Sequence, residues 1–211
     1  MDAVIFDWDG TLVDSLPGIF RANVEVLREY DVPFDAVRYR AAYVPDWRLM
    51  YERLGVPPEH LDAAGHRWRE LYAAAPTPAA FAGVHEALDR LSAAGHVLGL
   101  VTAGDRDVVE DQLDRLGLAA IIQVRVCGSD EVASKPHPDP LLLALADLGL
   151  RGRPGDAAYV GDAPDDMRMA RAVGTRAVGI VSSLGTRGDL LAAGAHEVSG
   201  SVPDWVGRLL G

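Results

Sequence analysis

Two carboxylates, Asp7 and Asp9, lie in the stretch Asp7-Trp8-Asp9-Gly10-Thr11-Leu12, directly after the apolar run Ala3-Val4-Ile5-Phe6. A short run of that composition reads as a buried strand of a parallel sheet. The acids then fall at its carboxyl end, where open α/β sheets place their sites. Gly10 permits a turn, and as the chain leaves the pleat both acids can converge on one ligand. Three later stretches also carry chemistry: Thr102-Ala103-Gly104, Lys135 within Ser134-Lys135-Pro136-His137-Pro138, and Gly161-Asp162-Ala163-Pro164-Asp165-Asp166. Each has a plain structural reading. Thr102 could cap a helix, Lys135 could be a surface charge, Asp162 a turn residue, and Asp165 and Asp166 first-turn acids favoured by the helix dipole. All of them, however, fall at or soon after a strand end on one edge of the sheet, and that points to a single site.

The chemistry of such a site is restricted. Several acids gathered at one point cannot all stay ionised without a cation, and a hard site with few carboxylates suits Mg2+ when a phosphate completes its shell. A phosphoryl group needs positive charge and N–H or O–H donors on its oxygens. Lys135, Thr102 and the backbone amides around Asp9-Gly10 and Ala103-Gly104 could supply them. A carboxylate can attack phosphorus to give an acyl phosphate, and a second acid can protonate the leaving oxygen and later deprotonate water. Lys135 is the only lysine among 20 Lys plus Arg, and it lies in a proline-bounded loop rather than on a solvated helix face. Arginine does not replace lysine where a compact point charge is needed.

The elements that must position these residues follow from periodicity. From Gly83 onward the rhythm is helix, strand, helix, strand, the pattern of a parallel sheet covered on both faces. Helices are expected over 84–94, 105–116, 140–148 and from 164 to Val173, with two more around Leu190-Leu191 and over 202–210. Strands are expected over 97–101, 121–127, 157–160 and 177–181. The segment 16–78 differs. Its apolar residues recur at helical spacing and are broken by Pro33, Pro45 and Pro57-Pro58, which reads as about four helices and no strand. The expected organisation is an α/β doubly wound core, residues 1–15 and 79–211, with an inserted all-helical module placed to act as a lid.

Composition narrows the partners. With 31 acidic against 20 basic residues, the formal charge is −11. That argues against nucleic acid or an anionic membrane surface. Cys127 is the single cysteine, so no internal disulfide can form, and it reads as a small buried hydrophobe. The first strand begins at residue 3 without a basic leader or a long apolar segment, so no signal peptide, no transmembrane helix and a cytoplasmic location are expected. A monomer or weak dimer is expected.

In these motifs the chain resembles the haloacid dehalogenase-like hydrolase superfamily, in its phosphoglycolate phosphatase-like branch. Asp7-Trp8-Asp9-Gly10-Thr11-Leu12-Val13-Asp14-Ser15 is similar to the family's first motif, Thr102 to its second, Lys135-Pro136 to its third, and Gly161-Asp162 with Asp166 to its fourth. The resemblance implies a Rossmann-like core with a helical cap, Asp7 as nucleophile and Asp9 as general acid/base. It further implies Mg2+ held by Asp7, the Asp9 carbonyl and Asp162 with Asp166 near the metal, and phosphate held by Thr102 and Lys135.

The resemblance also narrows the reaction. The family's dehalogenases lack the second acid of the first motif, which is present here as Asp9. Its phosphonate hydrolases use a cap lysine, and this insertion has none. Its sugar phosphomutases carry a histidine where this chain has Ile19. Hydrolysis of a small phosphomonoester through an aspartyl phosphate is therefore expected, with phosphoglycolate as leading substrate. The alternatives are a phosphosugar phosphatase, a phosphomutase, or a non-catalytic relative that binds a ligand or partner. Two departures bear on the substrate: Tyr43-Val44-Pro45-Asp46-Trp47 replaces the glycine usual in the cap loop, and Ala103 follows Thr102 where a polar side chain is common. Trp47 and Arg48 are candidate substrate contacts, with Arg48 able to pair a carboxylate or second phosphate. The alternative is that Trp47 packs among the cap helices and Arg48 is solvated.

Overall fold

In the computed structural model, which describes residues 1–211, the chain separates into two compact units, Met1–Asp14 with Ala79–Gly211 and Ser15–Pro78. The larger unit contains a sheet of β1 (Ala3–Phe6), β2 (Val97–Val101), β3 (Val124–Val126), β4 (Ala157–Gly161), β5 (Arg176–Ile180) and β6 (Glu197–Ser199). Their order is β3-β2-β1-β4-β5-β6, and every neighbouring pair is parallel. The smaller unit contributes the helices α1 (Leu16–Glu29), α2 (Ala36–Ala42), α3 (Trp47–Leu54) and α4 (Leu61–Ala73). The larger contributes α5 (Val84–Ala93), α6 (Arg106–Arg115), α7 (Asp139–Asp147), α8 (Pro164–Val173), α9 (Arg187–Ala192) and α10 (Val202–Leu210). The fold is a doubly wound α/β sheet. No helix is long and apolar enough to cross a membrane.

The chain starts in the middle of this sheet, winds outward to β3, and returns to lay β4 on the other side of β1. The winding reverses between β1 and β4, and in open sheets such a reversal opens a crevice beyond the carboxyl ends of the strands. β1 is held from both faces. Val4 and Phe6 join a core with Leu88 and Leu91 of α5, Val109 and Leu113 of α6, and Trp205 of α10. Ala3 and Ile5 join the opposite core with Leu141 and Leu145 of α7 and Met167 and Ala170 of α8. All four β1 side chains are fully buried, and each large one contributes roughly 1.5–3 kcal/mol. Asp7, which follows directly, therefore starts from a fixed point.

In the smaller unit the prolines mark the breaks, with Pro33, Pro45 and Pro57 all lying between helices. Asp35 caps α2 by accepting from the Arg38 amide at 2.8 Å, and Asp46 caps α3 by accepting from the Arg48 and Leu49 amides at 3.0 and 3.2 Å. Trp47 packs edge-on to Tyr51, with ring centroids 5.8 Å apart, and it sits so close to Gly65 of α4 that a Cβ there would lie 2.5 Å from the indole.

Two expectations change. The apolar stretch 121–127 forms a strand only over Val124–Val126, because Ile121 ends a turn and Ile122 lies in the irregular segment that follows it. Ile122 is fully buried in the α5 and α6 core, so its hydrophobicity reports packing rather than pleat. A sixth strand, β6, lies where no strand was expected; only Val198 in Glu197–Ser199 is apolar.

Candidate active site

Asp7 follows the last residue of β1, and its amide donates to the Val160 carbonyl at 2.8 Å, extending the β1–β4 ladder by one step. The chain then turns sharply. Gly10 adopts a left-handed backbone with φ of 77°, which a side chain would strain, and its amide donates to Val13 at 3.0 Å. The Gly10 amide was a candidate phosphate donor; here it closes this turn instead.

Thr102 directly follows β2 and is buried. It does not cap α6, since that position belongs to Asp105, whose carboxylate accepts from the Asp107 amide at 3.1 Å. The Thr102 hydroxyl oxygen instead accepts from the Gly104 amide at 3.0 Å, which leaves the hydroxyl proton to donate elsewhere. The Gly104 amide is thereby committed, and the Ala103 amide is engaged by none of these bonds. A Cβ at Gly104 would lie 3.6 Å from Asp9 Oδ2, so the Asp9 carboxylate lies beside this loop. Gly128 lets the next loop pass beneath it: a Cβ there would sit 2.1 Å from the Ala103 carbonyl oxygen.

Lys135 is no surface charge. Its side chain is buried, and its ammonium donates to Asp7 Oδ1 at 2.6 Å and to Asp166 Oδ1 at 2.9 Å. Asp166, in the first turn of α8, also accepts from the Ala163 amide at 3.0 Å through Oδ2. Asp165, its neighbour, pairs with Arg168 at 2.5 Å instead. Gly161 makes room for this arrangement, because a Cβ on it would lie 2.5 Å from the Asp166 carboxylate.

Asp7, Asp162 and Asp166 present carboxylate oxygens that all lie within 4.8 Å of one another, and all three residues are buried. Asp162 Oδ2 is buried with no hydrogen-bond partner. Three carboxylates against the single Lys135 ammonium would leave two negative charges uncompensated. The electrostatics respond accordingly. Burial pushes the Asp7 carboxyl up to about 7, with the Asp166 charge adding and the Lys135 ammonium opposing. Burial, then Asp7 and Asp166, hold Asp162 well above the carboxylate range. An orphaned carboxylate oxygen and an all-oxygen donor set of this charge fit a divalent cation. Asp9, expected to hold the metal through its backbone carbonyl, has its carboxylate outside this cluster of three.

Tyr159 of β4 escaped the sequence reading. Its hydroxyl lies 2.9 Å from the Val101 carbonyl oxygen and 3.2 Å from Asp166 Oδ1, and Lys135 Nζ stands 5.4 Å from its ring centroid. The signal available was a phenol in a wholly buried strand, which requires a partner for its polar tip. In the smaller unit, Arg48 donates to Asp62 at 2.5 Å and stacks over Trp47 at 4.8 Å. Both partners of that ion pair are more than half exposed.

Comparison with known proteins accords with this arrangement. Residues 4–180 match the family model of haloacid dehalogenase-like hydrolases. The chain is 32% identical to the "Probable phosphatase IndB" of Dickeya dadantii, over 97% of this chain and 91% of that protein. It is 34% identical to the phosphoglycolate phosphatase of Yersinia pseudotuberculosis, over 84% of this chain and 79% of that one. Among solved structures, a hydrolase from Pseudomonas syringae superposes with a TM-score of 0.89 at 27% identity, covering 99% and 98% of the two chains. On its sequence as well as its fold, the chain is an enzyme belonging to the haloacid dehalogenase-like hydrolase family.

Proposed function

We propose that this enzyme is a Mg2+-dependent phosphatase that hydrolyses small phosphomonoesters through a phosphoryl group carried on Asp7, with 2-phosphoglycolate as the leading substrate and residues 16–78 as its cap. The observation that carries the reading is the buried Asp7 carboxylate, held by Lys135 at 2.6 Å inside the cluster of three acids. A buried salt bridge of this kind would by itself be a poor source of stability; beside a phosphate it supplies charge where charge develops.

In this reading a carboxylate oxygen of Asp7 attacks phosphorus as the bond to the leaving oxygen breaks. Asp9 gives that oxygen its proton, and then takes one from the water that cleaves the aspartyl phosphate, which returns Asp7 as a carboxylate. Lys135 and the Thr102 hydroxyl hold the transferring phosphoryl oxygens, with the Ala103 amide as the remaining backbone donor of that loop. Mg2+, held by Asp7, Asp162, Asp166 and the Asp9 carbonyl, would neutralise the acids and polarise the phosphoryl group.

Phosphoglycolate is favoured because the relative from Yersinia pseudotuberculosis bears that name and matches over most of both chains. Arg48 as its carboxylate partner requires exchange of the present contact with Asp62. A panel of phosphorylated metabolites, assayed with Mg2+ and with chelator, tests the substrate. Acid quenching during turnover should trap label from a phosphorus-labelled substrate on wild-type protein and not on Asp7→Asn; a labelled Asp7→Asn, or turnover by it, removes Asp7 from the nucleophile's role.

A further inference from the structure

Tyr159 occupies a place that neither the metal set nor the phosphate ligands account for. It lies opposite Ile5 of β1 in the sheet, yet its hydroxyl reaches the carbonyl of Val101 at the end of β2, the strand on the far side of β1. The side chain therefore runs under the end of β1, just before Asp7, with no exposure to solvent. The carbonyl it meets belongs to the residue before Thr102. The carboxylate oxygen it meets, Asp166 Oδ1, is the same one that receives the Lys135 ammonium. One phenol thus touches the supports of three separate sequence motifs.

The Asp166 carboxylate receives the Ala163 amide on Oδ2 and the Lys135 ammonium on Oδ1, and the single Tyr159 hydroxyl proton is shared between that Oδ1 at 3.2 Å and the Val101 carbonyl oxygen at 2.9 Å. Lys135 in turn is suspended between Asp166 and Asp7, above the Tyr159 ring. An ammonium has three donors, and two are used on these acids. The direction of the third, the one left for a substrate oxygen, depends on where Asp166 holds the nitrogen.

We propose that Tyr159 is a positioning residue: its hydroxyl ties the end of β2 to Asp166, and so sets the place of the Lys135 ammonium relative to Asp7 and to the phosphoryl group.

The inference rests on the phosphatase reading, and its test separates the two. Wild-type protein, Tyr159→Phe, Lys135→Met and the double variant are compared with Mg2+ present, by turnover of p-nitrophenyl phosphate and by the dissociation constant of inorganic phosphate from calorimetry. Tyr159→Phe keeps the ring and loses the hydroxyl. It should lower kcat and weaken phosphate binding, each by about tenfold, at a thermal midpoint within a few degrees of wild type. Because the hydroxyl acts through Lys135, adding Tyr159→Phe to Lys135→Met should weaken phosphate binding no further. Tyr159→Met, with a flexible apolar filler, carries the same expectations if the phenylalanine variant folds poorly. An unchanged phosphate constant in a folded Tyr159 variant, or a full additive loss in the double variant, overturns the positioning role and leaves the phosphatase reading intact. Absence of turnover in the wild type defeats the phosphatase reading and this inference with it.

Discussion

The Lys135 ammonium lies 2.6 Å from Asp7 Oδ1, although the two residues are 128 positions apart in the chain and both are almost wholly withdrawn from solvent. Asp166 takes the same ammonium at 2.9 Å. A compact charge on a flexible stem can serve both acids and a substrate oxygen; a planar guanidinium in that space cannot. Lys135→Arg should therefore lower kcat on an aryl phosphate by on the order of a hundredfold or more, despite conserving charge. Near wild-type turnover in that variant would show that position 135 needs only a positive charge.

Asp9 is expected to act on the leaving oxygen, so its importance should depend on that group. Asp9→Asn should be severely impaired, by roughly a hundredfold to ten-thousandfold, with an alkyl phosphate whose alcohol cannot depart without a proton. With p-nitrophenyl phosphate the loss should be much smaller. Equal losses in kcat/KM on both substrates would assign Asp9 to holding the metal or the turn.

The acid cluster couples stability to pH and to the metal. The Asp7 carboxyl stands at about 7 in the folded chain against 3.8 for the free group, and Asp162 is raised too. Between those values the folded protein keeps a proton on Asp7 that the unfolded chain has released, so the contribution of Asp7 to stability falls as pH rises from 3.8 to about 7, and the raised Asp162 acts in the same direction. A cation that binds the ionised acids offsets this loss. Addition of Mg2+ to chelator-treated protein should raise the thermal midpoint more at about pH 8 than at about pH 5, because proton competition weakens binding at low pH. An equal or larger effect at the acidic pH, or no effect at either, would contradict a metal at these acids.

Gly161 is required for space. A Cβ there would meet the Asp166 carboxylate at 2.5 Å, and that carboxylate cannot retreat without leaving both Lys135 and the Ala163 amide. Gly161→Ala should cost about 1–3 kcal/mol of stability and weaken Mg2+ binding, measured by chemical unfolding and by metal titration. A variant as stable as wild type, with unchanged metal affinity, would mean that Asp166 is not fixed where the structure places it.

What the sequence determined by itself was which chemically capable residues mark the strand ends, and the order of the elements that carry them. Asp7 and Asp9, Thr102, Lys135 and Asp162 with Asp166 each sit beside an apolar run or a helix start that local pattern reveals, and the single lysine in an arginine-rich chain was visible by counting. Tertiary structure decided what depends on contacts between distant segments. Periodicity could not separate Ile122, buried in an irregular segment, from a strand residue, because burial looks the same in both. Nor could it find β6, whose pairing with β5 is made by backbone groups common to every residue. Local pattern did not separate the two neighbouring acids Asp165 and Asp166; only the family resemblance singled out Asp166. Only the rotation of α8 against β4 turns Asp166 toward Lys135 and leaves Asp165 to Arg168. Tyr159 is the extreme case: its strand was legible, but the carbonyl and carboxylate that give its hydroxyl a purpose come from β2 and α8, and they meet it only when the sheet is wound.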